Sequence, residues 1–193
     1  MYERTMKDLQ EGFAGESMAN RKYLAFADQA DKEGYPGVAR MFRAIASAET
    51  VHATAHFRTM GGIGDTASNL KAALDGETYE FSTMYPGFIE DAEAEGHAAA
   101  KRSFHLANEA EKVHGGLYKK ALEGLEALKG KDADWYLCPI CGFVHEGVGP
   151  GRLSYLQGEG ERVREEPRVL TDSCMQTRRP PQKEEGRRVF RSP

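Results

Sequence analysis

The chain has little cysteine and no long apolar run. Only three of its 193 residues are cysteine, and two of these form one Cys-x-x-Cys, which excludes a disulfide framework and indicates a reducing cytoplasm. No stretch approaches the ~20 apolar residues of a membrane span, and the first residues lack the order of a signal peptide. A formal net charge of -4 lacks the basic excess that neutralises phosphates, so we expect neither a nucleic-acid nor a membrane partner.

What the chain does contain is an internal repeat built around two Glu-x-x-His strings. These are Glu49-Thr-Val-His52 and Glu111-Lys-Val-His114, which lie 62 positions apart. The same offset relates three further features: Tyr23 and Phe26 to Tyr85 and Phe88, Glu33-Gly34 to Glu95-Gly96, and Phe42 to Phe104. Glu16 pairs with Glu77 after a slip of one residue. A duplicated helical hairpin of this kind is typical of di-metal carboxylate bundles.

Hydrophobic periodicity predicts four helices, over about 3–33, 36–60, 77–95 and 98–129. Pro86 is expected to bend or restart the third helix. The connection from Gly61 to about residue 75 is long for neighbouring helices, so we expect it to cross the bundle. The predicted fold is therefore all-α, a four-helix bundle over residues 1–130.

The composition changes after the fourth helix. Residues 133–147 are predicted to form a short strand followed by a cysteine knuckle, Cys138-Pro-Ile-Cys141-Gly142. From residue 148 to 193 the chain is rich in Arg, Glu, Gly and Pro without any period, so we predict that this tail is disordered.

The repeat places acidic and imidazole side chains on the apolar faces of the predicted helices. Residues three apart on a helix share a face, so each Glu-x-x-His can bind one metal centre. Unpaired buried carboxylates cost several kcal/mol each, and divalent cations offset that cost. A lone Glu-x-x-His is usually solvated, but its duplication in register favours metal binding, with iron or manganese preferred by a carboxylate-rich site. The predicted ligands are Glu16, Glu49, His52, Glu77, Glu80, Glu111 and His114.

Two tyrosines accompany these ligands. Tyr23 lies seven residues after Glu16 on the same predicted face, and Tyr85 is its repeat partner. Two interpretations stay open: the phenols pack in the core, or they hydrogen-bond the metal-binding carboxylates and deliver protons as catalytic groups.

Four segments together resemble the rubrerythrin family: Ala14-Gly15-Glu16-Ser17, Ala48-Glu49-Thr-Val-His52, Glu77-Thr-Tyr-Glu80 with Met84-Tyr85-Pro86, and Ala110-Glu111-Lys-Val-His114. The cysteine knuckle resembles the first half of that family's rubredoxin-like tail. The resemblance, over about residues 5–147, implies a ferritin-like, homodimeric, non-haem peroxidase with two iron ions that reduces hydrogen peroxide to water. It implies electrons from a reduced nicotinamide, delivered by rubredoxin or a nicotinamide-dependent rubredoxin reductase. It also makes Glu49 and Glu111 bridging ligands and Glu80 the extra carboxylate that distinguishes the family from plain ferritins.

The pattern breaks at the tail. A rubredoxin-type iron needs four thiolates, whereas the chain offers Cys138 and Cys141 as candidate ligands and a distant Cys174. The family's second knuckle is expected near Leu153 and is not there. Our hypothesis is that residues 148–193 are the out-of-frame product of a frameshift near residue 148, with a real mutation as the alternative.

Three other functions fit parts of the pattern. A ferroxidase or iron-storage bundle would use the same helices, but neither Glu80 nor the cysteine knuckle is needed for storage. A helical scaffold with a zinc-ribbon tail would be an interaction module, but it gives no reason for a doubled ligand set. A manganese catalase-like activity is the third, because the ligand types do not separate iron from manganese.

Overall fold

The structure, a computed structural model, describes residues 3–138 and 140–146 and the backbone of Arg168–Val169. Apart from that two-residue strand, the segment predicted to be disordered or out of frame lies outside the described residues. The chain divides into two compact units, Met1–Asn69 and Leu70–Pro193. Each unit is built on one copy of the sequence repeat.

The first unit is a hairpin of two helices, α1 (Glu3–Lys32) and α2 (Pro36–Thr59). Gly34 ends α1 with a positive φ of 81°, and the N–H of Tyr35 donates to the carbonyl of Ala30 at 2.8 Å. Alanines line the seam, where Ala27, Ala30 and Ala39 are buried with Phe42 packed against them. Small side chains let the two helices approach closely.

The predicted length of the connection is wrong, because α3 (Thr66–Tyr79) begins only seven residues after the end of α2. That the connection crosses the bundle stays a prediction. Asp65 caps α3: the backbone N–H of Ser68 donates to the Asp65 carboxylate at 2.7 Å. Hydrogen bonds from the Ser68 side chain first, and then from its backbone, hold the pKa of that carboxyl below its usual range. The sequence indicated a loop here because of its glycines. An Asp-x-x-Ser cap marks the start of this helix, and no apolar stripe accompanies it.

The second unit contains the other hairpin. After α3 the helical run continues through a π-helical segment, Glu80–Met84, into α4 (Tyr85–Ala94), and α5 (Ala98–Glu123) and α6 (Leu125–Leu128) follow. The turn before α5 repeats the first hairpin's turn: Gly96 has a φ of 70°, and the N–H of His97 donates to the carbonyl of Ala92 at 2.8 Å. Pro86 is accommodated at the start of α4, as predicted.

A small sheet follows the helices. Strand β1 (Trp135–Leu137) pairs antiparallel with β2 (Val144–Glu146) and parallel with β3 (Arg168–Val169). The fold class is thus all-α and ferritin-like with a small sheet, which confirms the prediction. Within the described residues, no helix combines the length and apolar character of a membrane span.

Candidate metal centre

The first ligand group lies inside the α1–α2 hairpin. Glu16 projects from α1, and Glu49 and His52 project from α2, so that one ligand atom of each lies within 4.8 Å of the others. His52 Nδ1 is 2.9 Å from Glu49 Oε2 and 4.0 Å from Glu16 Oε1. The His52 side chain is 56% exposed, whereas that of Glu49 is 15% exposed.

The second ligand group repeats this geometry in the other unit. Glu77 projects from α3, and Glu111 and His114 project from α5, again with one ligand atom of each within 4.8 Å of the others. His114 Nδ1 is 2.6 Å from Glu111 Oε2 and 3.9 Å from Glu77 Oε1. All three side chains are at most 21% exposed. Six of the seven predicted ligands are therefore brought into two matching groups of three.

Each unit also contains an aromatic triad. The ring centroids of Tyr23, Phe26 and Phe42 are 5.7 to 6.2 Å apart, and those of Tyr85, Phe88 and Phe104 are 5.4 to 6.4 Å apart. The packing interpretation of the two tyrosines therefore has direct contacts in its favour. Their catalytic role stays a prediction, since within the described residues neither phenol donates to a carboxylate.

The seventh predicted ligand, Glu80, is the first residue of the π-helical segment. A π-helical turn contains about one residue more than an α-helical turn. That extra residue accounts for the slip in the repeat: Glu77 and Tyr85 are eight residues apart, whereas Glu16 and Tyr23 are seven apart. The slip is the sequence signal that could have located the π-helical segment, which we did not predict.

The second group concentrates negative charge. Burial, followed by hydrogen bonding to Glu111 and by its charge, raises the pKa of Glu77 from 4.5 to about 7. Burial and the charge of Glu111 also raise the pKa of Glu80. These carboxylates oppose one another's ionisation, and a bound cation would remove that opposition. The chemistry of the donor set therefore fits divalent metal.

A further contact was not predicted from the sequence. His114 Nε2 lies 2.9 Å from the backbone carbonyl of Gly142 in the cysteine knuckle. Because a carbonyl only accepts, Nε2 carries the proton, and the lone pair of the neutral ring is on Nδ1, the nitrogen that faces Glu77 and Glu111. Such a partner orients a histidine ligand toward a metal. No pattern in the sequence signals a contact between residues 28 positions apart.

The cysteine knuckle is folded around Gly142, whose φ is 76°. Its N–H donates to the carbonyl of Cys138 at 2.9 Å, and the N–H of Cys138 donates to the carbonyl of Phe143 at 2.9 Å. Cys138 is buried and Cys141 is partly exposed. Only these two cysteines lie within the described residues, so their role as metal ligands stays a prediction.

Duplicated hairpins that each carry two carboxylates and an imidazole define a protein of the di-metal carboxylate class. Comparison with known proteins specifies the family. The rubrerythrin family model matches residues 7–122, and the chain belongs to the rubrerythrin family. Membership supports a di-iron oxidoreductase of oxidative-stress defence.

The chain is also similar to individual proteins. Rubrerythrin-2 of Clostridium acetobutylicum is 36% identical over 153 residues, covering 70% of this chain and 82% of the relative. Nigerythrin of Nitratidesulfovibrio vulgaris is 37% identical over 157 residues, covering 74% and 77%. A solved structure of nigerythrin in a partially reduced state is 36% identical, covers 75% of this chain and 78% of its own, and has a TM-score of 0.44.

Proposed function

We propose that this protein is a non-haem di-iron peroxidase that reduces hydrogen peroxide to water. The observation that carries the proposal is Glu80, a partly buried carboxylate close enough to the second ligand group to feel the charge of Glu111. Its counterpart in the first half of the repeat, allowing for the slip, is Ala19. A storage bundle does not need this additional ligand, whereas an enzyme that changes the charge of its metals can use it.

The ligand set fits iron, because carboxylate-rich sites with few imidazoles favour hard or borderline divalent ions. When bound, the two iron ions would supply the electrons that cleave the O–O bond. One peroxide takes up two electrons and two protons and yields two molecules of water. The residues that would hold the metals are Glu16, Glu49, His52, Glu77, Glu80, Glu111 and His114.

The protein's own part in this chemistry includes proton supply. Burial, followed by the charges of Glu80, Glu111 and Glu77, raises the pKa of Tyr85 above 10.0, so its phenol is protonated at neutral pH. A phenol in this position can donate a proton to oxygen as it is reduced. We assign Tyr85 this role and extend it to Tyr23, its repeat partner.

The electrons would come from a reduced nicotinamide, through rubredoxin or a nicotinamide-dependent rubredoxin reductase. Within the described residues the chain supplies Cys138 and Cys141, half of the four thiolates of a rubredoxin-type iron. We therefore expect rapid reaction with one peroxide per centre but slow turnover with a reductase. We further propose that the enzyme is a cytoplasmic homodimer.

The test is an anaerobic titration of the fully reduced, iron-loaded protein with hydrogen peroxide, followed by visible absorbance and compared with oxygen. We expect a sharp endpoint at one peroxide per di-iron centre and a faster reaction with peroxide than with oxygen. A fast reaction with oxygen and a slow one with peroxide would indicate a ferroxidase. The same titration after loading with manganese would show whether a catalase-like activity competes.

A further inference from the structure

Asn108 carries a buried amide that the proposed mechanism does not use. It lies on α5 and is only 6% exposed. Within the described residues, its side-chain oxygen Oδ1 accepts no hydrogen bond. Burial of an amide oxygen without a donor costs free energy, so an unpartnered acceptor of this kind requires an explanation.

The position of Asn108 on α5 places it beside the second ligand group. Residues three and four apart share a helix face, so Asn108 lies between Phe104 and Glu111 on one face of α5. Phe104 contacts Tyr85, with ring centroids 6.4 Å apart, and Glu111 belongs to the ligand group with Glu77. The amide is therefore flanked by a residue that packs against Tyr85 and by a predicted metal ligand.

The repeat shows that this amide is an addition of the second half. Asn108 corresponds to Ala46 at the offset of 62 residues, and Ala46 is buried on α2. An alanine therefore suffices at this position of the hairpin. Asparagine also has a lower helix propensity than alanine, so neither packing nor helix formation accounts for Asn108.

The first half contains a buried amide of a different kind. Asn20 Nδ2 donates to the carbonyl of Ala46 at 2.7 Å and to Thr50 Oγ1 at 2.9 Å. Its Oδ1 accepts from Arg21 Nε at 2.8 Å. Asn20 is therefore a structural amide, bonded at both ends within its own hairpin, whereas the oxygen of Asn108 is available to a donor from outside the chain.

We propose that Asn108 Oδ1 accepts a hydrogen bond from hydrogen peroxide held beside the second ligand group, and that it thereby selects peroxide over molecular oxygen. Hydrogen peroxide has two O–H donors, whereas molecular oxygen has none. A site built to hydrogen-bond a substrate O–H rejects an analogue that lacks it, because a buried polar group of the site is then left unpaired. This inference rests on the proposed peroxidase function and names a residue that determines its specificity.

The groups around Asn108 favour a donor of this kind. Carboxylates that bind metal offer only acceptors, so they cannot satisfy the amide oxygen. A buried water with a purely structural role is the competing partner, because waters commonly satisfy buried polar groups. Such a water would affect stability but would not distinguish one oxidant from the other, and this difference can be measured.

The first part of the test compares two oxidants. Asn108→Leu removes the acceptor at similar volume, and Asn108→Ala removes it and leaves space. Each fully reduced, iron-loaded variant is mixed with hydrogen peroxide and, separately, with oxygen, and its oxidation is followed by stopped-flow absorbance. In both variants we expect the rate with peroxide to fall about 5- to 10-fold, the effect of one hydrogen bond, while the rate with oxygen and the iron content stay unchanged.

The second part uses the metal-free protein, with Asn20→Leu as the matched control. Asn20→Leu loses three hydrogen bonds and should lower the melting temperature by about 4–8 °C. Asn108→Leu removes an unpaired acceptor, so we expect a melting temperature that is unchanged or about 2–4 °C higher. A loss as large as that of Asn20→Leu would show that Asn108 Oδ1 already has a donor in the chain, which would overturn the proposal.

The remaining outcomes separate this inference from the proposed function. If the unaltered protein prefers peroxide and both Asn108 variants keep that preference, this inference alone has failed. An equal fall with both oxidants, or a fall in Asn108→Leu only, would indicate a structural or steric effect and would also overturn it. If the unaltered protein reacts faster with oxygen than with peroxide, the proposed peroxidase function has failed and this inference fails with it.

Discussion

The two ligand groups are copies of one another in geometry but not in surroundings. In the first, the His52 side chain is 56% exposed and that of Glu16 is 33% exposed. In the second, the corresponding values for His114 and Glu77 are 21% and 19%. The distances from imidazole to carboxylate nevertheless agree within a few tenths of an ångström. The helical repeat therefore fixes the ligand positions independently of their burial.

The surroundings of the two ligand groups also differ in the residues that contact them. The second half has two additional features. Glu80 lies within a π-helical segment, and the backbone carbonyl of Gly142 lies within hydrogen-bond distance of His114 Nε2. The first half has neither feature among the described residues. One group is thus a simple set of ligands. In the other, the knuckle orients the histidine, and the neighbouring carboxylates oppose one another's ionisation.

The largest expected effect is the loss of metal when either repeat glutamate is removed. Glu49→Ala and Glu111→Ala should each lower the iron content from two ions per centre to less than one, because each removes a predicted bridging ligand. Elemental analysis after anaerobic loading measures this. Glu123→Ala is the control, since Glu123 is 68% exposed on the same helix as Glu111. Full iron content in Glu49→Ala would show that the first group is not needed to hold metal, so that the two groups differ in function as well as in burial.

The second prediction concerns the support that only His114 receives. A chain ending at Asp134 lacks the Gly142 carbonyl and should bind metal about 10-fold more weakly. The truncation should have no further effect in a His114→Ala background and its full effect in a His52→Ala background, as a double-mutant cycle requires. Lys120→Ala is the control, because it breaks only the exposed 2.8 Å ion pair to Glu146. Equal effects in both backgrounds would show that the knuckle acts through general stability.

The third prediction concerns the charge of the second group in the metal-free protein. The pKa of Glu77 is raised from 4.5 to about 7, so its ionisation opposes folding above pH 4.5 and does so fully above about pH 7. Glu77→Gln should therefore stabilise the metal-free protein by about 1 kcal/mol at pH 8 after allowance for solvent screening. That corresponds to a melting temperature about 2–4 °C higher.

The effect of Glu77→Gln should shrink as the pH falls and vanish near pH 4, where the carboxyl is protonated in both the folded and the unfolded state. Thermal unfolding with a chelator present, at a series of pH values, measures it. Glu16→Gln is the matched control in the first group. An equal stabilisation by Glu16→Gln would mean that burial does not distinguish the two groups.

Much of this molecule could be predicted from the sequence because the repeat is local and periodic. The helices around Glu49 and Glu111 and the turns at Gly34 and Gly96 follow from residue spacing and from glycine's tolerance of positive φ. The start of α3 at Thr66 could not be predicted from apolar periodicity, because its cap and first turn are polar.

Two features of the candidate site lay beyond the sequence patterns that we used. The π-helical segment showed only as a one-residue slip between Glu77 and Tyr85, which is ambiguous without coordinates. The Gly142 carbonyl is a backbone atom, and its position depends on how the knuckle packs against α5 rather than on the identity of any side chain. The ligand positions follow from the local sequence, whereas the environment of the ligands depends on tertiary packing.

The smallest expected effect concerns Tyr85. Burial first, and then the charge of Glu80, raises its pKa above 10.0, so its phenol should ionise at a higher pH than that of an ordinary tyrosine. The absorbance of tyrosinate in the near ultraviolet, recorded against pH for the metal-free protein with and without Tyr85→Phe, isolates this one phenol by difference. In a Glu80→Gln background the same difference curve should move to lower pH, because one of the opposing charges is gone. An unchanged curve would place Glu80 too far from Tyr85 to act on it, and the phenol's proton would then depend on burial and the remaining carboxylates.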